Sequence, residues 1–317
     1  MKTLLAAAVV ALTATVATAR DNIQIAGSST VLPYASIVAE AFGENFDNFP
    51  TPVVESGGSG AGQKRLCEGI GLNTIDIANS SSLMKPETWE MCEKAIGKIV
   101  EVRIGYDGIV FAANLNNKGF DNMTPEEIFH AVRADSPYTN WNEINPRLPN
   151  EDITVFLPGT KHGTREVFEK KVMIAGCKAA GLYDTLGKKG CVQVRKDNVA
   201  VDIDGDYTET LARMSSNPTA IGVFGLSFLL NNTDKIYAAD INGVTASVDS
   251  IASGEYPISR PLQFYVKTAH LDVVPGLREY IEFFVSDDMA GPDSPLANYG
   301  LVPDPELHKT QEMISGL

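Results

Sequence analysis

Apolar residues along the chain follow two spacings in turn. Ile23 and Ile25 alternate with polar neighbours, the pattern of a strand. After Gly27-Ser28-Ser29-Thr30, the residues Tyr34, Ile37, Val38, Ala41 and Phe42 recur at helical intervals and share one face. A short strand around Val53-Val54 precedes a Gly-Ser-rich run, 57–62, that opens a second helix through Leu66. Ile75 and Ile77 mark a further strand ending at Asn79-Ser80-Ser81-Ser82. The helix after it carries Pro86 in its first turn, Trp89, Cys92 and Ile96 on one face, and Gly97 as its stop. Thr124-Pro125-Glu126-Glu127 is a capping box, with Met123 and Ile128 placed as a hydrophobic staple. Gly163-Thr164 opens a helix whose Val167, Phe168, Val172 and Ala175 share a face, and a last strong helix runs through Leu277, Tyr280, Ile281, Phe284 and Val285. Strands alternating with helices in this way predict an α/β protein with mainly parallel sheets covered by helices.

The first 19 residues break the pattern. Lys2, an apolar stretch from Leu4 to Val16 and Ala17-Thr18-Ala19 predict a cleaved secretory signal peptide, 1–19. The apolar stretch is about 13 residues against the roughly 20 that span a membrane. No later segment is long and apolar enough, so no membrane insertion is expected. Loss of Lys2 takes the 26 basic residues to 25 against 40 acidic ones, a charge of −15. That balance argues against nucleic acid and against an anionic membrane surface. The 317 residues, 44% hydrophobic, are enough for two cores. Export makes disulfides plausible for the four cysteines, Cys67, Cys92, Cys177 and Cys191, which allow three connectivities. The sequence-local choice is Cys67–Cys92 and Cys177–Cys191. A metal site is disfavoured, because no Cys-x-x-Cys occurs and the four histidines are scattered.

Runs of Gly, Ser and Thr recur where strands turn into helices: 27–30, 57–62, 79–82 and 159–164. In open α/β sheets ligands sit beyond the carboxyl ends of strands, where such loops converge. Glycine lets backbone N–H groups at helix starts approach an anion, and hydroxyls add donors. The nucleotide P-loop is excluded, since Gln63 stands where its lysine should follow Gly62. Arg165, in the first turn of its helix, opposes the helix dipole unless an anion lies nearby. Asp107 lies in Gly105-Tyr106-Asp107-Gly108 between two β-rich, glycine-broken runs, and reads equally as a hinge residue or a ligand. His162, beside Gly163, either donates to a ligand or faces solvent.

Seven stretches, among them Gly27-Ser28-Ser29-Thr30-Val31, Gly58-Ser59-Gly60-Ala61-Gly62, Asp76-Ile77-Ala78-Asn79-Ser80-Ser81, Tyr106-Asp107-Gly108-Ile109, Gly159-Thr160-Lys161-His162-Gly163-Thr164-Arg165 and Tyr256-Pro257-Ile258-Ser259-Arg260-Pro261-Leu262, make the chain resemble, in the same order, the periplasmic phosphate-binding proteins that feed ABC importers. The resemblance implies a two-lobed, Venus-flytrap fold, each lobe a mixed, mainly parallel sheet flanked by helices. Lobe I is expected over 20–114 plus 261–317 and lobe II over 115–260, with crossings near Asn114 and Pro261. It implies phosphate contacts from Thr30 and the Val31 backbone, with Ser29 in the same loop, and from Ser59, Ser80, Ser81, Gly163 and Thr164. Two departures are evident. Ser81 and Ser82 stand where many relatives place an acidic residue or an arginine, and His162 replaces a common serine. The acceptor for the proton of hydrogen phosphate, which excludes fully ionised sulfate, is therefore assigned to Asp107, and the balancing charge to Arg165. A monomer that hands inorganic phosphate to a permease, with no cofactor and no covalent chemistry, is expected. The rivals are the same fold tuned to arsenate, sulfate or a phosphonate, and a secreted hydrolase. The hydrolase is disfavoured because Gly57-Gly58-Ser59-Gly60-Ala61 misses the nucleophile elbow by one position.

Overall fold

The computed structural model describes residue 20 and residues 22–160, 163–204 and 207–317. The expected leader, 1–19, and His162 lie outside the described residues.

Eleven strands are found among the described residues: β1 (Gln24–Gly27), β2 (Val53–Ser56), β3 (Ile77–Ser80), β4 (Ile99–Asn114), β5 (Asn122–Met123), β6 (Val155–Pro158), β7 (Ala200–Ile203), β8 (Ile221–Gly225), β9 (Ile236–Ala238), β10 (Asp240–Ile241) and β11 (Ser259–Lys267). Nine form one sheet in the order β2-β1-β3-β11-β4-β8-β6-β7, with β9 also on β4, and β5 and β10 pair separately. β2, β1 and β3 are parallel, as are β8, β6 and β7. Between the two parallel sets lie β4 and β11, antiparallel to each other and to their outer neighbours. The fold is α/β and two-lobed, each lobe a mixed and mainly parallel sheet, and the central antiparallel ribbon belongs to both.

The cores divide accordingly. One apolar cluster gathers Ile25, Val38, Phe42, Val102, Phe264 and Tyr280, with the helix α1 (Leu32–Asn45) laid across it. A smaller cluster beneath α2 (Ser59–Leu66) and α3 (Pro86–Ile96) contains Leu66, Cys67, Cys92 and Tyr265. The other lobe packs Phe111, Phe129, Trp141, Phe156, Phe168 and Phe224. Disulfides join Cys67 to Cys92 in the first lobe and Cys177 to Cys191 in the second, matching the expected pairing. The capping box forms at α4 (Pro125–Val132), where Thr124 Oγ1 accepts from Glu127 N, Glu127 Oε2 accepts from Thr124 N, and Met123 and Ile128 are buried.

Two features differ from expectation. β4 is one strand of 16 residues, about 50 Å long at strand rise, although glycines 105 and 108 suggested two runs. A Cβ on Gly105 would lie 2.6 Å from the Val302 carbonyl oxygen, so that glycine admits a crossing segment rather than ending the strand. Within this strand the partner changes, from β11 to β8, between Gly108 and Ile109. Lastly, the helix Gly163–Val167 continues through a π-helical turn, Phe168–Met173. The wider turn rotates the buried face, so that Val172, Met173, Gly176 and Cys177 are buried while Ala175 is exposed.

Candidate functional site

Three strand ends of the first lobe bring their loops together. β1 ends at Gly27 with φ +142°, where a Cβ would meet the Asn79 carbonyl oxygen at 2.2 Å. A side chain at that point would separate the loop from β3. Ser28, Ser59 and Ser81 then form a hydroxyl cluster: Ser28 Oγ donates to Ser81 Oγ at 3.0 Å, Ser59 and Ser81 hydroxyls lie 3.2 Å apart, and Ser59 Oγ accepts from Ser81 N at 3.1 Å. Ser28 Oγ also accepts from Thr30 N and, at 3.4 Å, from Val31 N. Ser29 is exposed beside them. Ser80 is turned away from this cluster. Its hydroxyl accepts from Gln63 Nε2 and donates to the Ser82 carbonyl, fixing the turn after β3.

The second lobe contributes the helix that begins at Gly163. Thr164 Oγ1 is 2.5 Å from the hydroxyl of the half-buried Tyr207, whose acidity is suppressed chiefly by desolvation. Ser29, Thr30, Asp107 and Thr164 open onto a cavity of about 600 Å³ walled partly by Tyr34, Tyr207 and Tyr299.

The charges are arranged differently from the sequence-based assignment. Arg165 is buried, and its guanidinium donates to Glu169 Oε1 at 3.0 Å, to Asp202 on β7 and to the Pro158 carbonyl. The cation that faces Asp107 is Arg260, so the balancing charge assigned to Arg165 sits elsewhere. Arg260 on β11 and Asp107 on β4 are direct cross-strand partners, which sets both side chains on one face. Both are buried. Arg260 Nη2 donates to Thr30 Oγ1 at 2.7 Å and lies 3.4 Å from both Asp107 Oδ2 and Glu166 Oε2. Arg260 Nε and Nη1 are buried without a hydrogen-bond partner among the described residues. Burial raises the Asp107 pKa, partly offset by Arg260. Burial also pushes Glu166 upward, but hydrogen bonds from Lys170 and Thr30, with the Arg260 charge, outweigh it and hold this carboxyl at about 2.

Arg260, Glu166 and Ser28 were not singled out from sequence. Arg260 had a legible signal, an isolated cation between Ser259 and Pro261 within an apolar run. Glu166 had none beyond its place two residues after Thr164. No group of His, Cys, Asp and Glu suited to a metal occurs among the described residues, and none of their helices is long and apolar enough to cross a membrane.

Two lobes joined by a shared ribbon, with hydroxyls, a buried guanidinium and a buried carboxylate between them, define a cleft-type binding protein. The chain belongs to the PBP superfamily, whose domain model matches residues 12–288. It is 31% identical to Protein SphX of Synechococcus elongatus over 82% of this chain and 72% of that protein. It is 27% identical to the phosphate-binding protein PstS of Staphylococcus haemolyticus over 82% of this chain and 75% of that protein. Among solved structures, it resembles a possible phosphate-binding protein from Planctomyces limnophilus with a TM-score of 0.72 and 25% identity, covering 93% of this chain and 97% of that one.

Proposed function

We propose that this protein is an exported receptor that binds inorganic phosphate in the cleft and delivers it to the permease of an ABC importer. The observation that carries the proposal is Arg260. A buried guanidinium with two donors lacking partners is costly unless an anion completes it, and a planar fork suits a tetrahedral oxyanion. The resemblance to phosphate-binding relatives supplies the choice of oxyanion.

In this reading Thr30, the Val31 amide, Ser59 and Ser81 donate from the first lobe, and Gly163 and Thr164 from the second. Ser29 borders the ligand, and Ser80 holds the turn that presents Ser81. Arg260 takes the balancing role and Arg165 a structural one. Asp107 accepts the proton of hydrogen phosphate, a bond that sulfate cannot offer. The lobes divide where β4 changes partner, between Gly108 and Ile109, and where β11 begins, at Ser259. Each lobe closes on the ligand by bending at the ribbon, and removing water strengthens every charge-assisted bond. No bond is made or broken. The protein acts in the periplasm as a monomer, freed of a leader that ends at Ala19.

The test is calorimetric titration of ligand-stripped protein with phosphate and then sulfate. Wild type should bind phosphate at micromolar or lower concentration and sulfate far more weakly, and Asp107→Asn should narrow that gap. Uptake of arsenate or a phosphonate in preference to phosphate would retain the receptor and replace the ligand. Turnover of a p-nitrophenyl phosphate or ester would overturn the receptor reading.

A further inference from the structure

Glu166 crosses the cleft. It belongs to the helix Gly163–Val167 of the second lobe, yet its Oε2 accepts the Thr30 hydroxyl of the first lobe at 2.6 Å and lies 3.4 Å from Arg260 Nη2. A threonine hydroxyl has a single hydrogen to donate. Here that hydrogen goes to Glu166, and Arg260 occupies one of the oxygen's lone pairs at 2.7 Å. Thr30 therefore cannot donate to a bound anion until Glu166 releases it. The carboxylate is itself an oxyanion and fills the same donors that a phosphate oxygen would use. It also has somewhere to go: Lys170 Nζ donates to its other oxygen, Oε1, at 2.5 Å from one helical turn away. Two carboxylates, Asp107 and Glu166, already face Arg260, so an incoming anion meets less repulsion once one of them withdraws.

We infer that Glu166 is an internal competitor for the anion site, bridging the lobes on Thr30 and Arg260 in the ligand-free protein and yielding to the ligand by retreating onto Lys170. The inference rests on the phosphate reading for the identity of the ligand, and on the contacts above for the competition. Its effect is to set a threshold. A ligand must satisfy more donors than one carboxylate does, which a tetrahedral oxyanion reaching Ser59 and Ser81 achieves and a small monovalent anion does not. Apparent affinity is lowered by the fraction of molecules in which Glu166 holds the site.

The experiment titrates phosphate into wild type, Glu166→Gln, Lys170→Ala and the double variant. Glu166→Gln should bind phosphate about 5- to 30-fold more tightly, a coupling of ordinary size. Lys170→Ala should bind more weakly, and that loss should shrink in the Glu166→Gln background, where no charge needs a refuge. Unchanged or weaker binding by Glu166→Gln overturns the inference, as does a Lys170→Ala loss that persists in full in the double variant. If wild type takes up no phosphate, the functional reading fails separately. Small-angle scattering of the ligand-free proteins then decides this one: a wider particle for Glu166→Gln supports the bridge, and identical profiles overturn it.

Discussion

The two arginines of the cleft region show how far single residues could be read. A cation in a first helical turn, as at Arg165, asks for an anion nearby. The structure supplies that anion from within, through Glu169 one turn on and Asp202 from the neighbouring strand. Asp202 comes from tertiary proximity, which no local pattern reveals, whereas Glu169 stands at the i,i+4 spacing of an ordinary helix pair. Arg260 is legible as an isolated cation in a resembling stretch, but its role depends on being opposite Asp107 in a strand register. The two therefore separate experimentally. Arg260→Gln should weaken phosphate binding by about 1.5–3 kcal/mol, roughly 10- to 150-fold, in the same calorimetric titration. Arg165→Ala should leave affinity within a few-fold of wild type while lowering the melting temperature, since it removes the donor to the Pro158 carbonyl and opens a buried position. Gly62 gives a steric counterpart. An added Cβ would stand 2.6 Å from Gly27 Cα and 2.8 Å from the Ala26 carbonyl oxygen. Both are backbone atoms that cannot step aside, so Gly62→Ala should cost about 1–3 kcal/mol in denaturant unfolding.

At the level of elements, α1, the capped α4 and the strand-to-helix loops were legible, because each is fixed by neighbours a few residues away. Tyr34, Val38 and Phe42 are buried as their spacing predicts. The continuous β4 and the π-helical turn were not legible. The first depends on Val302 passing over Gly105, and the second on a one-residue shift that leaves an equally apolar face. The disulfides tie local elements, and the double variant Cys177→Ser/Cys191→Ser should lose about 3 kcal/mol in denaturant unfolding, as expected for a short closed loop. Beneath the first lobe, β11 ends at the fully buried Lys267, whose ammonium donates to the Gly69 carbonyl and to Thr74 Oγ1. Burial lowers this lysine to about 8, against the pull of Asp76. Between about 8 and the ordinary 10.5 the unfolded chain holds the proton and the folded one does not, so this group makes stability rise with pH across that window. Comparing wild type with Lys267→Met from pH 7.5 to 10.5 should show the slope in wild type and its loss in the variant.

Across the whole molecule, an extended apolar run gives no sign of where a strand exchanges neighbours, and β4 does so between Gly108 and Ile109. Domain closure is the property to measure at this scale. Saturating phosphate should reduce the radius of gyration in small-angle scattering, and Arg260→Gln should require a higher phosphate concentration for the same contraction. An unchanged profile on saturation would deny any closure.

The lobes are tied by a hydrogen-bonded ribbon rather than by loose tethers, and the pair Asp107 and Arg260 sits where that ribbon passes from one lobe to the other. In the proposed receptor the anion site is thus at the fulcrum of a pair of jaws. On that proposal, displacements too small to break a hydrogen bond there are multiplied along each lever, so that a permease touching only the outer rims senses whether the centre is filled.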